Sequence, residues 1–184
     1  MKRGIRILAI DDSPFKRGED RHTFLVGLLF RELILELSLR EIIEVDGNDS
    51  TDAIIRMSTA PGIQGEAKLI LAHGTTFGGL NVLDLRRVYR ITGVPIIAVT
   101  SREPTEEIER ALISAGMKDK IPLVRRNPPY IPVKTSKGTS YISSVGISYE
   151  EASRLVARFS IESKIPEQLR IVDIVARILE GLSP

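Results

Sequence analysis

The chain has no cysteine. That excludes disulfides, thiol nucleophiles and zinc sites built on thiolates, and it suits a cytoplasmic protein. No run of 18 or more apolar residues occurs, so no membrane-spanning helix is expected. The apolar segment after Met1-Lys2-Arg3-Gly4 is about five residues long, too short for the core of a signal peptide. A strong charge of one sign is also missing. With 26 Lys and Arg against 24 Asp and Glu, the net charge is +2, which selects no class of partner. No Gly-Lys-Ser/Thr follows the glycines at 74–79, and no Gly-x-Gly-x-x-Gly occurs, so neither nucleotide-binding signature is present. What remains is 184 residues with 42% apolar content and no internal repeat, which fits one domain over 1–184 with a core of its own.

Two stretches are the most informative. Ile7-Leu8-Ala9-Ile10 ends in Asp11-Asp12-Ser13-Pro14-Phe15, and Leu69-Ile70-Leu71-Ala72 ends in His73-Gly74-Thr75-Thr76-Phe77-Gly78-Gly79. An apolar run that stops at ionisable residues and a turn reads as a buried strand. Open α/β sheets place their chemistry at the carboxyl ends of such strands.

Residues 4–11 read as the first strand and 22–30 as the second, across a polar loop containing Pro14 and Gly18. Over 33–45, Leu33, Leu35, Leu37 and Leu39 alternate with Ile34, Glu36, Ser38 and Arg40. This favours a third strand entered through a hairpin at Arg31-Glu32, with one helix from about 24 to 43 as the alternative. Asp46 to Asp52 form a turn and an N-cap cluster that opens a helix over 53–57. A strand at 67–72, a helix at 82–91 capped by Asn81 and Asp84, and a strand at 95–99 make a right-handed βαβ unit. Pro104, Glu106 and Glu107 start a helix that ends near Gly116. Short strands are expected at 121–125 and 139–145. Ser148 caps a helix over 149–160, and Pro166 opens a last helix with the apolar stripe Leu169, Val172, Ile174, Val175, Ile178 and Leu179. That helix can dock on its own sheet or on a second subunit, which leaves a homodimer open.

Three hairpin-joined strands followed by helix–strand–helix–strand describe a mixed α/β sheet with helices on both faces. The expected fold is ribonuclease H-like and five-stranded, in spatial order 3-2-1-4-5. In that order the first and fourth strands are parallel neighbours, so Asp11 and His73 meet at one rim, and Asp49 can reach the same edge. Asp12 alternates to the other side and braces a loop. Carboxylates at a strand end suit Mg²⁺-assisted phosphodiester cleavage, with Asp11 and Asp49 as ligands. His73 suits a softer divalent ion or a proton-carrying role. An Asx turn or helix cap is the plain alternative for Asp11, and a simple turn for the glycines of 74–79. Those glycines also suit a small phosphate ligand. Lys118, Lys120, Arg125, Arg126, Lys134 and Lys137 form a basic strip that reads either as phosphate-contacting or as a solvated loop.

Four segments together resemble a known family. These are Ala9-Ile10-Asp11-Asp12-Ser13-Pro14-Phe15, Asp46-Gly47-Asn48-Asp49-Ser50-Thr51, His73 to Asp84, and Ile165-Pro166-Glu167-Gln168-Leu169-Arg170. In this order they resemble the archaeal endonuclease dU family, itself similar to endonuclease V. The resemblance spans nearly the whole chain. It implies metal-dependent cleavage, with Mg²⁺ or Mn²⁺, of DNA containing a deaminated base, and so a role in DNA repair. The base is deoxyuridine by the family name, and RNA is the alternative partner. It places Asp11 at the first metal-binding aspartate, and the second acid at Asp49 or Asp52. The third acid of endonuclease V-type enzymes ends the fourth strand before a glycine, where this chain has His73. That departure implies use of another ion, transfer of the role to Asp12 or Asp84, or a fold that binds nucleic acid without cutting it. Pro129-Tyr130-Ile131-Pro132 matches the wedge tetrapeptide of endonuclease V, but it follows the fifth strand and is set aside.

Overall fold

A computed structural model describes residues 4–182. The chain begins as an antiparallel meander of β1 (Arg6–Asp12), β2 (His22–Arg31) and β3 (Ile34–Glu44), followed by α1 (Ser50–Thr59) and β4 (Leu69–Ala72). Two short strands, β5 (Thr76–Phe77) and β6 (Asn81–Val82), pair with each other in the loop before α2 (Leu85–Thr92) and β7 (Ile96–Thr100). Then come α3 (Thr105–Ser114), a 3₁₀ turn over 118–120 and α4 (Ile121–Arg126). The hairpin β8 (Ile131–Thr135) and β9 (Gly138–Val145) and the helices α5 (Tyr149–Phe159) and α6 (Glu167–Arg177) complete the chain.

The main sheet has the order β3-β2-β1-β4-β7-β9-β8. Its first five members are the expected 3-2-1-4-5, with β7 as the fifth strand. β4 and β7 run parallel to β1, and the β8–β9 hairpin adds two antiparallel strands beyond the expected five. Residues 34–44 form a strand, not part of a long helix, because Leu37, Leu39 and Ile43 all reach the core on one face. The strand expected at 121–125 is instead α4. Pro122 is tolerated in a first helical turn, and Ile121 and Val124, three apart, pack toward Leu112 and Leu80.

Alternation along β1 and β4 builds both halves of the core. Ile7, Ala9, Leu69 and Leu71 pack with Val156 of α5 and with Leu169 and Val172 of α6. Leu8, Ile10, Ile70 and Ala72 pack with Ala53, Ile54 and Met57 of α1 and Val88 of α2. A strand covered on both faces needs no polar alternation, which explains the uninterrupted apolar runs. The last helix docks on its own sheet through Leu169, Val172 and Ala176. Ile174 and Ile178, expected in its buried stripe, are 49% and 73% exposed, because this contact line puts them on the outer side. Among the described residues no helix is long and apolar enough to cross a membrane.

Candidate active site

β1 and β4 pair in parallel with Ile10 opposite Ala72, so Asp11 and His73 follow at the same rim. His73 Nδ1 lies 2.6 Å from Asp11 Oδ2, and the second Asp11 oxygen accepts the Asp12 backbone N–H at 3.0 Å. Asp11 is buried, whereas the His73 side chain is 30% exposed. Burial works against a charged imidazole. The hydrogen bond and charge of Asp11, with the fields of Asp173 and Asp12, outweigh it and raise the His73 pKa.

A further acid, not singled out by the sequence, acts on this rim. Asp173 lies in α6, which covers β1, and it stands near enough to act on His73. Arg177, one turn later, approaches both Asp173 oxygens at 3.1–3.2 Å and feels the charge of Asp11. An acid next to buried Val172, in a helix that must cover the first strand, was the available signal.

Asp12 faces the other side of the sheet, as its place in the alternation requires. Its Oδ2 accepts the Gly78 N–H at 2.8 Å, so it does brace the 73–79 loop. Burial first, and then the charge of Asp11, push its carboxyl up to about 7. The loop spends its donors on the protein: Gly78 on Asp12, and Leu80 on Asp46 Oδ1 at 2.7 Å. Glycine is required at 79, where φ is 86° and a Cβ would lie 2.4 Å from that same Asp46 oxygen.

Other expected site residues are placed elsewhere. Asp49 lies on the face of α1, not on that of Asp11. Its carboxylate accepts from Asn81 Nδ2 at 2.6 Å and from the Glu44 N–H at 3.2 Å. Asp52 pairs with Arg87 at 2.6 Å. Asp84 caps α2 through the Arg87 N–H and pairs with Arg126 at 2.9 Å. Asn81 does not cap α2; its side chain serves the start of α1 instead. It is fully buried, accepting the Ser50 N–H at 3.1 Å and donating to Glu44 O and Asp49. The structure therefore does not bring Asp49, Asp52 or Asp84 to Asp11 and His73.

The basic strip divides in the same way. Lys118, Lys134 and Lys137 are exposed, and Arg125 pairs with Glu109 at 2.9 Å. Lys120 is buried and donates to three backbone carbonyls, so it is not a surface contact for nucleic acid. Tyr130 of the tetrapeptide is tied down too, its hydroxyl 3.3 Å from Thr75 Oγ1 and its pKa raised by burial.

Among the described residues no three His, Asp or Glu side chains stand close enough to hold a metal ion by themselves. Beside His73 opens a cleft of about 320 Å³, lined by Gly74, Thr75, Leu80, Thr100 and Ile108.

A family model for endonuclease dU matches residues 3–180. The chain belongs to the endonuclease dU family. A curated relative from the archaeon Thermoplasma volcanium, a UPF0215 protein, is 33% identical over 181 residues, covering 97% of this chain and 91% of its own length. The crystal structure of a protein of unknown function from Archaeoglobus fulgidus superposes with a TM-score of 0.78 at 32% identity, covering 94% of this chain and 96% of that one. Endonuclease V from Ciona intestinalis, solved with DNA containing an inosine followed by a ribo-adenosine, superposes with a TM-score of 0.58 at 11% identity. That match covers 94% of this chain and 84% of the Ciona chain. At this distance the likeness shows the fold. It is the ribonuclease H-like nuclease fold of endonuclease V, and this endonuclease dU chain shares it.

Proposed function

We propose that the chain is a metal-dependent endonuclease that cuts DNA at a deaminated base, deoxyuridine by the family name, and serves DNA repair in the cytoplasm. One observation carries this reading: the Asp11–His73 pair, 2.6 Å apart, sits at the carboxyl ends of adjacent parallel strands beside an open cleft. Asp11 and Asp173 are the carboxylates that would hold Mg²⁺ or Mn²⁺, and His73 joins them where the ion is the softer Mn²⁺. When bound there, such an ion would supply Lewis-acid chemistry at the phosphodiester and a more acidic bound water. His73 is held by Asp11 through Nδ1, and among the described residues Nε2 has no partner, so the ring can carry a proton there. Arg177 offers a cation to a phosphate. The cleft has room for a base turned out of the stack, which is how enzymes inspect single bases. The Ciona fold neighbour was solved with inosine-containing DNA, which supports a deaminated base as the substrate class.

A second reading rests on the absence of a three-donor group among the described residues and on His73 in place of an acid. It is a nuclease fold that binds nucleic acid without cutting it. Labelled oligonucleotides carrying one uracil, one hypoxanthine or no lesion, incubated with Mg²⁺ and Mn²⁺, separate the two. Lesion-dependent cutting supports the nuclease. Salt-sensitive binding without any cut supports the second reading.

A further inference from the structure

Lys120 is 7% exposed, and its ammonium uses all three of its donors on backbone carbonyls. Nζ lies 2.6 Å from Asp46 O, 2.6 Å from Gly47 O and 3.0 Å from Leu80 O. These acceptors belong to two loops far apart in sequence, and a third segment, the 118–120 turn, supplies the cation. The two loops also meet directly, since the Asp46 N–H donates to Gly78 O at 2.7 Å and the Leu80 N–H donates to Asp46 Oδ1 at 2.7 Å. Asp46 itself has φ 56°, a left-handed conformation that a non-glycine residue keeps only when its surroundings fix it. The knot ends at the site: Gly78, whose carbonyl accepts from Asp46, donates its own N–H to Asp12 Oδ2 at 2.8 Å.

We propose that Lys120 is a positioning residue of the site. Its ammonium fixes the 46–47 turn and Leu80 in one geometry, and so holds the Gly78 N–H against the Asp12 carboxyl at the end of β1. A hydrophobic side chain of equal length fills the space but leaves three buried carbonyls without a donor, and the loops separate. This role rests on the reading of the Asp11–His73 rim as the reacting centre, but its structural half can be measured without any substrate.

The test uses the full chain with Lys120→Met and Lys120→Ala. Amide hydrogen exchange is followed at Gly78, with Val156 of α5 as a remote control. Exchange at Gly78 is expected to rise about tenfold or more while Val156 stays unchanged, as in local opening. Methylammonium added to Lys120→Ala restores the slow exchange, because it returns a cationic donor to the carbonyl trio. In the cleavage assay kcat falls about 10- to 100-fold with KM nearly constant, and methylammonium restores it. If Lys120→Met does not fold, Lys120→Gln, which keeps two donors, is read in the same way. Unchanged exchange at Gly78 in a folded variant overturns the proposal, as does exchange that rises equally at Val156. Altered exchange with unaltered kcat also overturns it, since Lys120 then holds the loop without serving the reaction. A wild-type protein that cuts no DNA fails the nuclease reading alone, and the exchange result still decides the placement of Gly78.

Discussion

Asp11→Ala removes a carboxylate that accepts two hydrogen bonds, one from its neighbour's backbone and one from His73 at 2.6 Å. A hydrogen bond to a charged group contributes about 1.5–3 kcal/mol when buried. The His73 side chain is 30% exposed, so water replaces part of the lost bond. The repulsion that Asp11 exerts on Asp12 disappears at the same time. The net cost is about 1–2 kcal/mol, small beside the ~5–15 kcal/mol stability of a domain. For a chain of this length that corresponds to a fall in Tm of about 2–8 °C. The chemistry suffers far more. Losing the principal carboxylate for the ion removes several kcal/mol of transition-state stabilisation, about 10³-fold in rate. Melting curves and cleavage of a uracil-containing oligonucleotide, measured on one preparation, check both numbers. A folded variant that cuts at the wild-type rate refutes the site. A variant that fails to fold refutes the stability reasoning.

Asn81→Ala leaves the buried Ser50 N–H without its acceptor and the half-buried Asp49 carboxylate with one donor fewer, and a loss of about 1–3 kcal/mol is expected by urea denaturation. A loss below about 1 kcal/mol would show that water fills the gap. Asp49→Asn should cost about 1 kcal/mol and leave kcat unchanged, because the carboxylate braces Glu44 and Asn81; abolished cleavage in the folded variant would return Asp49 to the metal site. His73→Asp sets two carboxylates against each other, so its Tm in EDTA should fall below wild type and recover with millimolar Mg²⁺ or Mn²⁺. The absence of any metal-dependent recovery would argue that no ion binds at this rim.

The strand ends were legible because burial on both faces leaves one simple trace, an apolar run that stops at Asp11 or His73. The hairpins and the right-handed crossover followed from local rules, and the spatial order of the first five strands followed from analogy with the ribonuclease H-like arrangement. The identity of α4 was not legible, since a six-residue segment with Pro122 in its first turn gives too short a pattern to separate periods of two and three. Acidic residues near the rim were legible as residue types, but their partners were not. Asp49 lies near the rim in sequence yet turns to Asn81, and Lys120 sits in a basic strip yet is buried among carbonyls from 46, 47 and 80. Asp173 lies 162 positions from Asp11, in a helix whose sequence marks only its amphipathic face. Periodicity along the chain determines which residues are buried and where strands end. Which charged groups meet depends on how α6 and the 44–49 and 73–83 loops fold back over the sheet, and only the tertiary structure decides that.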